Sequence, residues 1–287
     1  MREIEFDQKV LFLDELKYKL KEFGLKRNST AIIFFLHGSI DTTNTLDFLK
    51  IIRREPPIQN LDLIIDSDGG DIGMAVKIVE ICRHYSQKFT VIVPFFAKSA
   101  ATIIALSADD LILGKIGELG PLDPQVKHPT LDMHISASSI KNALEFLESS
   151  KDPDVRITMA DKFDPLLIGA YIRSLGESKQ YLKEVPVIKN SKNREEIIEA
   201  FTGKYIDHGF PITYEICKRL NLEFTLKFAV DEHETFLYDI HEEAKEYMEQ
   251  EYLETMILTP DNEHLSVYTS DGSLKYQDMD DELEEDE

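Results

Sequence analysis

Apolar side chains recur along residues 8–24 at Val10, Leu13, Leu16, Leu20 and Phe23, the spacing of a helix with one buried face. Residues 31–36 (AIIFFL) form an unbroken apolar run instead, as a strand covered on both faces requires. Residues 43–54 return to a helical pattern that stops before Pro56-Pro57. A second strand is expected over 61–65 (LDLII), running into a tight turn at Asp66-Ser67-Asp68-Gly69-Gly70. Asp71 is a good N-cap for the next helix, whose apolar face is Met74, Ile78, Ile81, Cys82 and Tyr85. A third strand follows at 89–93, then a short link to Ser99, a small-residue helix over 99–108 and a fourth strand at 111–113.

Strand and helix thus alternate from 31 to 113 with short connections, which predicts a parallel sheet built from right-handed βαβ units. The rest reads as mainly helical: 136–149, 159–182, 195–202 and 213–221, a strand at 222–228, and a long amphipathic helix over 231–257. The pattern divides the chain into an N-terminal helix (1–28), an α/β domain (29–228), a C-terminal helix (229–258) and an acidic tail (259–287) expected to be disordered.

Charge and cysteines narrow the function classes. The net charge is -22, and residues 277–287 alone carry eight acidic side chains and no basic one. Such a surface repels phosphate backbones and anionic lipid, so neither nucleic acid nor a membrane is expected as partner. The first ten residues, MREIEFDQKV, have no apolar core of a secretory signal, and no apolar run approaches the ~18–20 residues of a bilayer span. A cytoplasmic location is expected. The two cysteines, Cys82 and Cys217, lack metal-ligand spacing, and neither a metal nor an organic cofactor is implied.

The loops 66–72 and 95–100 both follow strands, so both belong at the carboxyl edge of the sheet, where ligands of such folds bind. Ser99 stands where a strand hands over to a helix, with small residues at Ala100 and Ala101. Backbone N–H groups at such a corner lack intrahelical partners, and glycine tolerates the backbone needed to aim another. Gly70 and Ala100 are therefore candidate oxyanion donors for a Ser99 nucleophile, with Gly69, Asp71 and Ile72 as substrate-binding positions. A serine before a helix is also a common N-cap, and two glycines after a strand are also simply a turn. The GxSxG signature is absent.

The segment 63–126 resembles the Clp protease–crotonase superfamily. IIDSDGGDIGMA is similar to the oxyanion strand and loop of Clp protease and signal peptide peptidase, and VPFFAKSAATIIALSADDLILG to their nucleophile helix and following strand. GELGPLDPQV and FTGKYIDHGFPITYEICKRLNL resemble a branch of it, the serine dehydrogenase proteinase family. The resemblance implies a Clp/crotonase-like parallel sheet, a serine peptidase or hydrolase acting on polypeptide, and a homo-oligomer, with an ATPase as a further candidate partner. Archaeal members of the family it resembles carry an N-terminal membrane segment; from the composition of residues 1–28 none is expected here.

The family's triad order implies Ser99, Asp123 and His208, with His208 as base and Asp123 orienting it. Alternatives stay open on the residues. Asp123 before Pro124 is also a turn former, and His208 beside Gly209 and Pro211 also suits a loop. His128 and His134 compete as bases. Lys141 is the base of a rival Ser–Lys dyad, although its spacing to Glu145 suggests a solvated pair. Lys98 is a candidate contact to substrate or to a neighbouring subunit. A crotonase-type enzyme on acyl thioesters and a non-catalytic scaffold are the competing functions.

Overall fold

The computed structural model describes residues 2–37, 39–127, 134–205, 209–222, 227–228, 231–268 and 274–277. The chain begins with helix α1 (Arg2–Arg27), strand β1 (Thr30–Leu36), α2 (Thr42–Ile52), β2 (Ile58–Ser67), α3 (Ile72–Tyr85) and β3 (Ser86–Val93). It continues with the two-residue strand β4 (Phe96–Ala97), α4 (Ala100–Leu106), β5 (Asp110–Leu113) and β6 (Glu118–Leu119). Asp41 starts α2 through a capping box with Asn44, and Asp71 starts α3 by accepting the Met74 N–H at 2.9 Å.

Next come β7 (Gln125–Lys127), β8 (His134–Ser136), α5 (Ala137–Ser149), α6 (Pro153–Ala160), α7 (Pro165–Glu184), α8 (Pro186–Lys189) and α9 (Arg194–Glu199). A π-helical turn (Ala200–Lys204), β9 (Ile212–Thr213) and α10 (Tyr214–Arg219) follow. The single helix expected over 159–182 is two helices. Asp164 accepts the Leu166 N–H and Pro165 takes the first position of α7, a start signal in the middle of a helical pattern. The helix expected over 195–202 ends as α-helix at Glu199 and widens into the π turn.

The chain closes with β10 (Lys227–Phe228), α11 (Asp231–Gln250), β11 (Leu253–Leu258), β12 (Glu263–Tyr268) and β13 (Leu274–Gln277). Two expectations fail here. The helix forecast over 231–257 stops at Gln250, and the chain reverses through Tyr252 (φ 54°) into a strand. The stretch from 259, expected to be disordered, contains β12 and β13; residues 278–287 lie outside the described residues. The strand expected over 222–228 is described only at Lys227–Phe228.

Two compact units result, residues Met1–Glu118 with Glu223–Glu287, and Leu119–Leu222, a division that cuts across the α/β domain expected over 29–228. The first unit is one large sheet whose main path runs β10-β5-β3-β2-β1-β11-β12-β13. From β10 to β1 the strands are parallel, as the alternation of elements required; β11, β12 and β13 extend it antiparallel. Every residue of β2 from Leu61 to Ser67 is buried, so the strand is covered on both faces. On one face Ile33, Phe35, Ile64, Ile92 and Ile112 pack with Leu13, Leu16 and Leu20 of α1 and Leu237, Ile240 and Ala244 of α11. On the other, Phe34 meets Phe48 of α2 edge-on at 5.3 Å.

In the second unit α5 and α7 pack through Ala137, Ile140 and Tyr171. Cys82 and Cys217 are both buried, and burial pushes the Cys217 thiol up to about 12 and that of Cys82 higher still. Among the described residues no helix is long and apolar enough to cross a membrane.

Candidate active site

β2 and β4 carry the site. Ser67 pairs with Ala97, and the Ser67 carbonyl accepts the Lys98 N–H at 2.9 Å. Asp66 and Ser67, expected in the turn, are the last residues of β2. The turn is therefore only Asp68, Gly69 and Gly70, and the Ser67 hydroxyl closes it by accepting the Gly69 N–H at 3.1 Å.

Ser99 has φ 47° and ψ −120°, a backbone that non-glycine residues rarely hold. Such strain costs of order 1–3 kcal/mol and persists only where the surroundings enforce it. Here Lys98 is tied to Ser67 while Ala101 and Thr102 donate to the carbonyls of Lys98 and Ser99, both at 2.9 Å. The corner is thus clamped on both sides of residue 99. The Ser99 side chain makes no capping hydrogen bond to α4, so the simple N-cap role does not hold. The residue is half-buried, not sealed in the interior.

Gly69 explains how closely the two loops approach. A methyl built on it would lie 2.5 Å from the Lys98 carbonyl oxygen, 2.8 Å from the Ala100 nitrogen and 2.8 Å from Ser99 Cβ. With φ 103°, the position excludes side chains on both backbone and steric grounds. Gly70 (φ 144°) is pressed from the other side by Ser39 and Ile40. Ile40 donates to the Gly69 carbonyl at 2.7 Å and accepts from the Asp71 N–H at 2.8 Å. By the alternation of a parallel ladder, those bonds leave the N–H of Gly70 for the opposite edge, that of β4 and Ser99.

Among the described residues neither the Gly70 nor the Ala100 N–H is engaged in a backbone bond. The expected substrate-binding positions fare differently. Gly69 has spent both its main-chain groups, and Asp71 uses its N–H on Ile40 and its side chain on α3. Ile72 is half-buried at the first turn of α3. Lys98, expected to meet substrate or another subunit, is mostly buried and forms an ion pair with Glu118.

Asp123, in the second unit, is buried at 7 % exposure. Its segment is fixed by Leu122 N–H donating to Phe201 at 2.7 Å and Ala137 N–H donating to Pro124 at 2.9 Å. Burial, then the negative charges of Asp123 and Glu145, raise the Tyr171 phenol. His208 and His128 lie outside the described residues, and His134 begins β8. Lys141 is 44 % exposed and 3.7 Å from Glu145, the solvated pair its spacing suggested.

Sequence reasoning missed a cluster in the first unit. Asp66, fully buried, lies 2.5 Å from His241 Nε2 and 3.6 Å from Lys245 Nζ, both on α11. The only legible signal was an i,i+4 pair of basic residues near the apolar face of a helix, opposite a carboxylate at a strand end.

The fold and corner define a class: a parallel α/β sheet presenting a serine at a strained strand-to-helix turn beside a glycine loop. The family model described as ClpP-like SDH-type serine proteinase matches residues 27–264, and the chain belongs to that family. An uncharacterized protein of Methanocaldococcus jannaschii, MJ0137, is 28% identical over 233 residues, which are 76% of each chain. Among solved structures, a mutant of the 1510-N membrane-bound stomatin-specific protease matches with 17% identity and TM-score 0.44 over 70% of this chain and 80% of that one. ClpP1 from Listeria monocytogenes matches with 12% identity and TM-score 0.43, over 70% of this chain and 94% of that one.

Proposed function

We propose that the chain is a serine peptidase that cleaves polypeptide through an acyl-enzyme on Ser99. The observation that carries this is the Ser99 corner: a strained backbone, a hydroxyl not used as a cap, and the unspent N–H groups of Gly70 and Ala100 beside it. In the reaction Ser99 Oγ attacks the scissile carbonyl carbon and its proton passes to His208. The Gly70 and Ala100 N–H groups receive the developing oxyanion, a role in which each donor is worth ~100–1,000-fold in rate. Collapse of the tetrahedral intermediate expels the amine, which takes the proton from His208. Water then repeats the sequence on the ester and frees Ser99. Asp123 holds the imidazole and stabilises its charged form.

Burial of Asp123 supports its orienting role. The Leu122–Phe201 hydrogen bond supports His208 as its partner, because it ties the chain beside Asp123 to the chain that leads to 208. A lysine base has to be desolvated, so the exposure of Lys141 and its pairing with Glu145 favour the triad over the dyad. The substrate main chain adds to the edge of the 68–70 loop that Ile40 leaves uncovered. We extend the proposal to a cytoplasmic homo-oligomer, with an ATPase partner as its open end.

A fluorophosphonate probe tests the reading. The wild-type chain is expected to be labelled at Ser99, located by mass spectrometry, and Ser99→Ala to be inert. An unlabelled wild-type chain that binds acyl thioesters would point to the crotonase-type alternative, which uses the same N–H pair without a nucleophile.

A further inference from the structure

α11 turns one stripe toward the carboxyl edge of the sheet. Tyr238, His241 and Lys245 follow at i, i+3 and i+7. His241 Nε2 reaches Asp66 of β2 at 2.5 Å while its ring lies 5.3 Å from Phe35 and 5.8 Å from Phe95. Lys245 Nζ lies 3.6 Å from the other Asp66 oxygen, 6.0 Å over the ring of Phe96 and 3.5 Å from His37 Nδ1. The Tyr238 hydroxyl receives the Ile116 N–H at 3.4 Å, on the loop after β5. One helix face therefore touches the residue before Ser67 and the two aromatic residues three and four positions before Ser99.

We propose that His241, with Lys245, is a positioning residue that locks β2 against the Phe95–Phe96 segment and so fixes the spacing between the 68–70 loop and the Ser99 corner. The reason is the cost of Asp66. Its carboxylate is buried at 0 % exposure, and among the described residues Oδ1 has no hydrogen-bond donor. A buried carboxylate stays put only while a partner compensates it, and among the described residues its two ion-pair partners, His241 and Lys245, both belong to α11. The strand end cannot shift without stretching that pair. The same strand end anchors the site: the Ser67 carbonyl holds Lys98 and the Ser67 hydroxyl holds Gly69. Neither His241 nor Lys245 needs to touch substrate for this. The consequence for catalysis rests on the peptidase reading; the mechanical claim does not.

Amide hydrogen exchange on the full chain tests the clamp without any substrate. His241→Leu keeps the apolar contacts and removes the polar one; His241→Gln restores a donor. In the Leu variant the Gly69 and Lys98 amides are expected to exchange at least ~10-fold faster, while the Ile92 amide of the central ladder keeps its rate and the Gln variant stays within ~2-fold of wild type. Unchanged Gly69 and Lys98 rates overturn the proposal. So does equal acceleration at Ile92, which would mean that His241 merely stabilises the fold. Should the Leu variant fail to fold, Asp66→Asn is read by the same three amides. Where the wild type is labelled by fluorophosphonate, the Leu variant should lose ~10–100-fold in the labelling step with little change in probe affinity. Absence of labelling in the wild type counts against the peptidase reading alone, and the exchange rates still decide the clamp.

Discussion

Gly69→Ala is the most demanding test of the loop geometry. The added methyl has no room: it would meet the Lys98 carbonyl oxygen at 2.5 Å and the Ala100 nitrogen at 2.8 Å. Both are backbone atoms, so no side-chain rotation relieves the contact. Ordinary carbon contacts begin near ~3.4 Å, so one of the two loops has to retreat by roughly 0.5–1 Å. The φ of 103° adds about 1–3 kcal/mol of backbone strain on any L side chain. A displacement of that size at the Ala100 N–H misaims an oxyanion donor, and ~1 Å misplacements cost ~100-fold. The variant is therefore expected to fold with a urea midpoint lowered in proportion to about 2–4 kcal/mol, and to react with fluorophosphonate ~100-fold more slowly or worse. Both are measured on the same preparation, labelling rate by intact mass and stability by circular dichroism in urea. A folded Gly69→Ala chain that labels within ~3-fold of wild type would refute the argument, because the contact between the 68–70 loop and the 98–100 corner would then have no bearing on reactivity.

Other outcomes follow from single positions. Ser99→Ala and Ser99→Gly should both be inert to the probe, but the glycine variant should be more stable by about 1 kcal/mol in urea unfolding, since only glycine relaxes the positive φ; equal stabilities would deny the strain. Burial alone would raise the Asp47 carboxyl, but hydrogen bonds with His264 and Lys50 outweigh it and hold it below the usual 3.8. A depressed carboxyl contributes stability above its unfolded value that is lost as pH falls through the lower folded value, so urea midpoints should fall more steeply below pH 4 in wild type than in Asp47→Asn. That variant should also cost about 1–3 kcal/mol at pH 7, because it weakens the link between α2 and β12. Gly169→Ala, inside α7 with open space around the added methyl, should stabilise by about 0.5–1 kcal/mol and leave labelling unchanged; a loss of stability there would be unexpected for a free helix position.

The parallel half of the sheet was legible because buried strands announce themselves as apolar runs and helices as periodic faces. The 31–36 and 89–93 runs, the Asp71 cap and the small-residue helix after Ser99 all appear where the pattern put them, within the few residues by which strand ends extend. The antiparallel half was not. Charge along 231–257 hid the end of α11, and the strongly acidic composition after 259 masked the short alternating runs that form β12 and β13. The periodicity over 159–182 runs unbroken through Asp164-Pro165, where a cap and a first-turn proline start a new helix.

Sequence by itself settled the strand and helix order from 31 to 113, the placement of Ser99 and the glycine pair after neighbouring strands, and the family. These depend on local periodicity and short motifs, which one stretch of chain carries alone. Tertiary structure decided the rest: that Ser99 is strained and uncapped, that Gly69 is jammed against Ala100, that Lys141 is solvated, and that a carboxylate at a strand end is held by a helix some 175 residues away. Each of these is a property of which surfaces meet, and burial and hydrogen-bond partners exist only once distant segments have been packed together.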